Sequence, residues 1–313
     1  MDIWPFIEKQ IGAGRTLVLI VVTQIKGSSP GRKGFKMAVL ANGESRGSVG
    51  GGLMEYNLVK LALELLAGES REAFLKRQIH SPHAKEDASG LICAGEQTQA
   101  FIPLGPEDLD AISRIRQAAD QGQQGKLLLS DKGITFKPQR GSGSSQPLKQ
   151  VEIWYEEHIG PPDTLYLFGG GHISLSLSQI AGLTGFRVVV LDDRPGLPTM
   201  EVNEVAHQKK HIDYRAAASY IQHPHSSYVG IMTVSHSSDQ MILEQMLGMP
   251  LKYLGMIGSK NKADKIFSNL RARGATEAAL RKVESPMGIP IGGQTPAEIA
   301  VSILASLIKH RNN

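Results

Sequence analysis

The apolar run Leu165-Tyr166-Leu167-Phe168 leads into Gly169-Gly170-Gly171-His172-Ile173-Ser174, and a second run, Val188-Val189-Val190-Leu191, ends in Asp192. Glycines between a strand and a helix let the backbone approach a phosphate, whose charge meets the unpaired N–H groups of the first helical turn. An acid about twenty residues further on can accept hydrogen bonds from ribose hydroxyls. The stretch reads as a strand–turn–helix–strand unit for a nucleotide-like ligand, with Gly169, Gly171 and Asp192 as candidate contacts. Ser174 stands where the dinucleotide fingerprint has its third glycine.

Two histidines follow strand ends in the same half. His172 closes the glycine turn, and His236 follows Ile231-Met232-Thr233-Val234-Ser235. In a doubly wound sheet of the common order the first and fourth strands are neighbours, so both histidines would border the crevice where such sheets bind ligands. Asp239 lies nearby, yet no close ligand spacing joins it to the two histidines as a metal set. Gly258-Ser259-Lys260-Asn261-Lys262 opens a later helix. Its amides, its hydroxyl and its lysines make Ser259 and Lys260 candidates for a second phosphate seat.

In the first half, Gly47-Ser48-Val49-Gly50-Gly51-Gly52 runs into an apolar helix expected over residues 53–66, ended by Gly68. Gly50, Gly51 and Gly52 are candidates for anion contact. Asn57, Lys60 and Glu64 form one polar stripe of that helix, which leaves the rest mostly buried. Glu55 points away from the stripe. It reads either as a carboxylate complementing the helix dipole or as a site residue under the glycine loop. The one cysteine, Cys93 in Leu91-Ile92-Cys93-Ala94-Gly95, reads either as a packing residue or as a thiolate able to hold a soft metal or relay sulfur.

The elements that must position these residues fall into two sets. In the first, strands are expected at 16–24, 36–40, up to about Pro103, and 151–157, with Asn42-Gly43 as a hairpin turn. A helix is expected at 107–119 and a hairpin at 126–137, followed by the Gly/Ser insert 141–145. Gly160-Pro161-Pro162 marks a boundary. In the second set, strands at 165–168, 187–191, 205–208, 228–234 and 252–257 alternate with helices. Thr295-Pro296-Ala297-Glu298 is a capping box for the last helix. The fold class is α/β, with a C-terminal Rossmann-like doubly wound parallel sheet over 161–313 and an N-terminal α+β domain over 1–160.

Of the 313 residues, 41% are hydrophobic and 20% charged, with a net charge of +4 and interleaved signs. That pattern argues against a nucleic-acid surface. A lone cysteine permits no internal disulfide. The start of the sequence lacks a basic segment followed by an apolar one, and the apolar run 17–22 is too short for a bilayer. The expectation is a cytoplasmic protein with no membrane or nucleic-acid partner.

Several of these segments together resemble the xanthine dehydrogenase accessory protein family of XdhC/CoxI type. In the first half they are Gly27-Ser28-Ser29-Pro30, Lys36-Met37 and Gly47-Ser48-Val49-Gly50-Gly51-Gly52-Leu53-Met54-Glu55, with Cys93-Ala94-Gly95 where the family carries Cys-Gly-Gly. In the second half they are Phe168-Gly169-Gly170-Gly171-His172, Asp192-Asp193-Arg194, Tyr253 to Lys260, Ser285-Pro286-Met287-Gly288-Ile289 and Thr295 to Ile303. The resemblance spans nearly the whole chain. It departs at Ser237-Ser238, where the family often has a second histidine, at Glu201-Val202-Asn203-Glu204, where it has Arg-Phe-Pro, and at Ser306, where it has glutamate.

The resemblance implies a molybdenum cofactor chaperone, an accessory protein rather than a catalyst. It would bind molybdopterin or its dinucleotide form, protect it, support its sulfuration by a cysteine desulfurase and insert it into a xanthine dehydrogenase-like molybdenum hydroxylase. Gly50, Gly51, Gly52, Glu55, Cys93, His172, Asp192 and His236 carry over as candidate contacts, with Cys93 as a candidate molybdenum ligand. A homodimer is a further open expectation. The alternative reading is an NAD-dependent oxidoreductase, with NAD bound by the Rossmann-like half.

Overall fold

The computed structural model describes residues 3–68, 71–80, 95–139 and 151–312. Cys93 and the Gly/Ser insert 141–145 lie outside them. The chain divides into two compact units, Met1–Pro161 and Pro162–Asn313.

In unit 1 the order is α1 (Trp4–Gly12), β1 (Leu17–Lys26), β2 (Lys36–Leu40), β3 (Ser45–Gly47), α2 (Gly52–Ala67), β4 (Phe74–Ile79), β5 (Glu96–Leu104), α3 (Leu109–Asp120), β6 (Gly125–Ser130), β7 (Gly133–Pro138) and β8 (Ile153–Ile159). An antiparallel sheet runs β3-β2-β1-β5-β4, and a smaller one runs β7-β6-β8. Seven consecutive buried residues open β1, because this central strand is covered on both faces. Leu17, Leu19 and Val21 pack in one cluster with α1, α3 and the small sheet. Val18, Ile20 and Val22 face α2 through Met54, Leu58 and Ala62. Only those three residues of α2 are buried. The expectation that its non-stripe residues are mostly buried therefore fails, since Leu53 and Tyr56 are exposed beside Asn57, Lys60 and Glu64. One face against one strand layer is all that a helix covering one face of a sheet needs to bury.

In unit 2 the order is β9 (Thr164–Phe168), α4 (His172–Leu183), β10 (Arg187–Asp192), α5 (Pro198–Glu201), β11 (Gln208–His211), β12 (Ser227–Ile231), α6 (His236–Met246), β13 (Tyr253–Met256), α7 (Lys260–Ala272), α8 (Glu277–Leu280), β14 (Val283–Glu284) and α9 (Pro296–Asn312). Its sheet is parallel in order β11-β10-β9-β12-β13-β14. Counted within the unit this is 3-2-1-4-5-6, the Rossmann arrangement. Side chains alternate between two covered faces. Leu165, Leu167, Val188 and Val190 meet α4 and α9, while Tyr166, Phe168, Val189 and Leu191 share a cluster with residues of α6 and α7.

Details of the sheet and its links differ from the expectations, among them the fourth strand, which ends at Ile231 rather than 234. The third strand lies at Gln208–His211 rather than 205–208. The link from β11 to β12 holds short 3-10 turns instead of an α-helix. A sixth strand, β14, was not anticipated. Among the described residues no helix is long and apolar enough to cross a membrane.

Candidate functional site

In unit 2, β9 and β12 are neighbours, with Phe168 opposite Ile231. The turns after both strands therefore stand side by side at the carboxyl edge of the sheet. His172 is the first residue of α4 and His236 the first of α6, and both side chains are accessible to solvent. α4 has no side-chain cap. The starts of α6, α7 and α9 do. Ser235 accepts from the Ser238 N–H at 3.0 Å, Ser259 from the Lys262 N–H at 3.3 Å, and Thr295 with Glu298 forms the expected capping box. The orphan amides at the start of α4 keep the capacity to bind an anion.

The three glycines of this turn differ. Gly169 has φ +114°, and a Cβ there would lie 2.3 Å from the Met232 carbonyl oxygen. A Cβ on Gly170 would lie 2.6 Å from the Met200 side chain. Packing explains both. Gly171 has an ordinary φ of −75°, and a Cβ there would meet nothing within 4 Å. It is the glycine that borders open space.

Asp192 is fully buried. It accepts from the Gly170 N–H at 2.7 Å, the Arg194 N–H at 2.9 Å and the Arg194 guanidinium at 2.9 and 2.8 Å. Burial pushes its carboxyl up, but the Arg194 and Gly170 hydrogen bonds outweigh that and hold it below the ordinary value. Asp192 thus braces the glycine turn from below and is not a free acceptor for a ribose. Asp239 is buried as well. It accepts from the Thr233 hydroxyl at 2.6 Å and from the Lys262 ammonium, which also donates to the Ile257 carbonyl at 3.1 Å. Lys262 is therefore spent on the fold, and Ser259 serves as a cap. Lys260 is exposed and makes no hydrogen bond or ion pair among the described residues. Among those residues no group of three or more His, Cys, Asp or Glu side chains could hold a metal.

The glycine loop of unit 1 is built differently. Glu55 accepts from the Ser48 hydroxyl at 2.6 Å, the Val49 N–H at 2.9 Å and the Gly51 N–H at 3.0 Å. Burial pushes this carboxyl up, and hydrogen bonds from Ser48, Val49, Gly51 and Gly50 more than reverse that, so it lies below the ordinary value. The chain's own carboxylate fills the seat that Gly50, Gly51 and Gly52 were expected to offer an anion. Glu55 stands in the first turn of α2, as the dipole reading expects, and its carboxylate is bonded to the glycine loop.

Sequence reasoning missed the polar cluster beneath this loop. The Ser29 hydroxyl donates to Gln97 at 2.6 Å and lies 3.3 Å from His80 Nε2. The Gln97 amide in turn donates to the Val49 carbonyl at 2.9 Å. All three side chains are buried, and burial pushes the His80 imidazole pKa down. Gly95 is pinned there too, since a Cβ on it would lie 1.9 Å from the Ser28 carbonyl. These residues come from separate segments, and no local spacing announces them. Arg194 did carry a local signal, an arginine two residues past a strand-end aspartate.

Comparison with known proteins agrees with this architecture. Residues 165–307 match the XdhC Rossmann domain, and residues 10–77 match the XdhC and CoxI family. The chain is 24% identical over 315 residues to a Bacillus subtilis (strain 168) protein named as a probable component of xanthine dehydrogenase, covering 94% of this chain and 93% of that protein. It is also 24% identical over 293 residues to the uncharacterized protein YqeB of Escherichia coli (strain K12), covering 93% of this chain but 43% of YqeB. The chain thus spans less than half the length of that relative. A crystal structure described as a xanthine dehydrogenase from Bacillus halodurans superposes with a TM-score of 0.80 at 23% identity, covering 100% of this chain and 96% of that one, which establishes a shared fold. With matches in both halves, in the order and with the motifs the sequence displays, the chain belongs to the XdhC and CoxI family.

Proposed function

We propose that this protein is an accessory factor in xanthine dehydrogenase maturation that binds the molybdenum cofactor, as molybdopterin or its dinucleotide. It would protect that cofactor, support its sulfuration by a cysteine desulfurase and hand it to a xanthine dehydrogenase-like hydroxylase. The observation that carries the reading is the start of α4. It has an uncapped helix N-terminus, open space at Gly171 and a solvent-accessible histidine at the first position of each helix that follows the adjacent strands β9 and β12. Family membership supports it.

The fit to the cofactor can be tested residue by residue. The phosphate of a pterin cofactor would suit the α4 amides beside Gly171, and the exposed His172 and His236 would donate to its oxygen or sulfur atoms. The Gly50–Gly52 loop does not fit, because Glu55 already holds it and its charge would repel a phosphate. Cys93 remains the proposed molybdenum contact. When bound, the cofactor supplies redox chemistry to the hydroxylase; the part of this chain is to hold and orient it. The NAD-dependent alternative is weakened because Asp192, the expected ribose acceptor, is saturated by Arg194 and Gly170.

The test is expression in a molybdopterin-producing host and anaerobic purification. Denaturation should release fluorescent oxidised pterin, and His172→Ala with His236→Ala should cut the yield at least several-fold. Pterin-free protein, together with tight NAD binding in equilibrium dialysis, would reverse the assignment.

A further inference from the structure

Unit 1 contains a cavity of about 750 Å³ beside the edge strand β3, within the size range of small-molecule sites. Trp4, Phe35, Lys36, Arg46, Ser48 and Glu157 line it. Its wall depends on glycine backbone. Gly34 and Gly47 have φ of +89° and +90°, and a Cβ on Gly47 would lie 2.2 Å from the Lys36 carbonyl oxygen. This lets the Ser48 N–H reach that oxygen at 3.0 Å. Lys36 and Gly47-Ser48 belong to the family-like segments of the sequence, and the α4 site uses none of them.

The charges within the cavity are unequally committed. The Lys36 ammonium is held by the Gly34 carbonyl at 3.0 Å and by Glu157 Oε2 at 2.6 Å. That same oxygen accepts from the Tyr155 hydroxyl at 3.1 Å, which leaves Glu157 Oε1 without a hydrogen bond among the described residues. Ser48 is spent on Glu55. Arg46 pairs through its backbone with Ala38, while its side chain makes no hydrogen bond or ion pair among the described residues. Among the residues that line the cavity Lys36 and Glu157 offset each other and Arg46 adds a positive charge, while the Glu55 carboxylate stands behind the lining Ser48. Phe35, another lining residue, is 43% exposed overall.

We infer that this cavity binds a purine-type mononucleotide. The Arg46 fork takes the phosphate in the bidentate geometry that guanidinium favours. Phe35 offers an apolar face to the ring, and Glu157 Oε1 accepts from ring N–H or amino groups. The inference stands apart from the pterin reading, since it uses none of the α4 residues and is read by affinity rather than by retained pterin.

Calorimetric titration of the full chain with GMP, IMP, guanosine and inorganic phosphate tests it. GMP should bind saturably, Arg46→Ala should weaken it at least tenfold, and Arg46→Lys should restore less than half of that loss in binding free energy. IMP, which lacks the exocyclic amine, should bind several-fold more weakly than GMP. In a Trp154→Phe background Trp4 is the sole tryptophan, so GMP should quench its fluorescence. Absence of saturable GMP binding, an unchanged affinity in Arg46→Ala, or inorganic phosphate binding as tightly as GMP would each overturn the assignment.

Discussion

At Gly47–Gly52 the backbone amides turn onto Glu55 of the following helix. At Gly169–Gly171 one amide turns onto Asp192 of the next strand, and the following helix starts without a side-chain cap. The two turns look alike in sequence, and each has a carboxylate close by. The difference lies in where that carboxylate stands. Glu55 sits in the first turn of its own helix, where an anion would sit. Asp192 sits behind the turn at the end of β10, held by Arg194, and leaves the helix axis open. A glycine-rich turn before a helix can take an external anion only when the chain has not supplied its own.

The largest effect that would break this comparison is expected inside the open turn. Gly169→Ala places a methyl group 2.3 Å from the Met232 carbonyl oxygen at φ +114°. Neither backbone can yield cheaply, so a loss of about 3 kcal/mol or more is expected. Both tryptophans, Trp4 and Trp154, lie in unit 1. The loss should appear as a lower urea midpoint followed by far-UV circular dichroism. A silent Gly169→Ala would mean that the turn is looser than described.

A smaller loss is expected at the closed turn. Glu55→Ala removes the acceptor of a hydroxyl and several N–H groups, a loss of about 2 kcal/mol at neutral pH, read this time by tryptophan fluorescence. The pH dependence has a definite sign. The folded-state pKa of Glu55 lies below the ordinary 4.5. Its contribution is therefore full above that value and disappears as pH falls through the folded-state pKa. The gap between wild type and Glu55→Ala should close in acid. A gap constant down to about pH 3, well below the ordinary carboxylate range, would show that the carboxylate's charge does not hold the loop.

Where apolar runs were long, the sequence stated the fold. β9, β10 and β12 are buried on both faces, read as largely apolar segments, and give the sheet its centre. Edges were harder. β4 is Phe74-Leu75-Lys76-Arg77-Gln78-Ile79, half polar because it has one neighbour. β11 is Gln208-Lys209-Lys210-His211, so polar that Val205 drew the expected strand three residues early. At the site, the placement of His172 and His236 followed from sheet order. The inward turn of Glu55 did not, since a helix-start carboxylate can serve either the dipole or the loop. The Ser29–Gln97–His80 cluster was illegible for another reason: three distant segments build it, and each residue looks ordinary in its own neighbourhood.

The smallest stability change is expected at Gly171, and it isolates ligand binding from folding. Its φ of −75° suits any residue, and a methyl group there meets nothing within 4 Å. Alanine at such a position restricts the unfolded chain, so Gly171→Ala should be slightly more stable than wild type, by about 0.5 kcal/mol. The same methyl group projects into the space beside the uncapped amides of α4, where a phosphate would approach. Protein that unfolds at a marginally higher temperature yet retains at least tenfold less pterin would mean that this glycine is kept for the ligand. If Gly171→Ala gains stability and holds its pterin undiminished, the contrast between the two turns loses its functional meaning, and the open turn is only a helix start that happens to lack a cap.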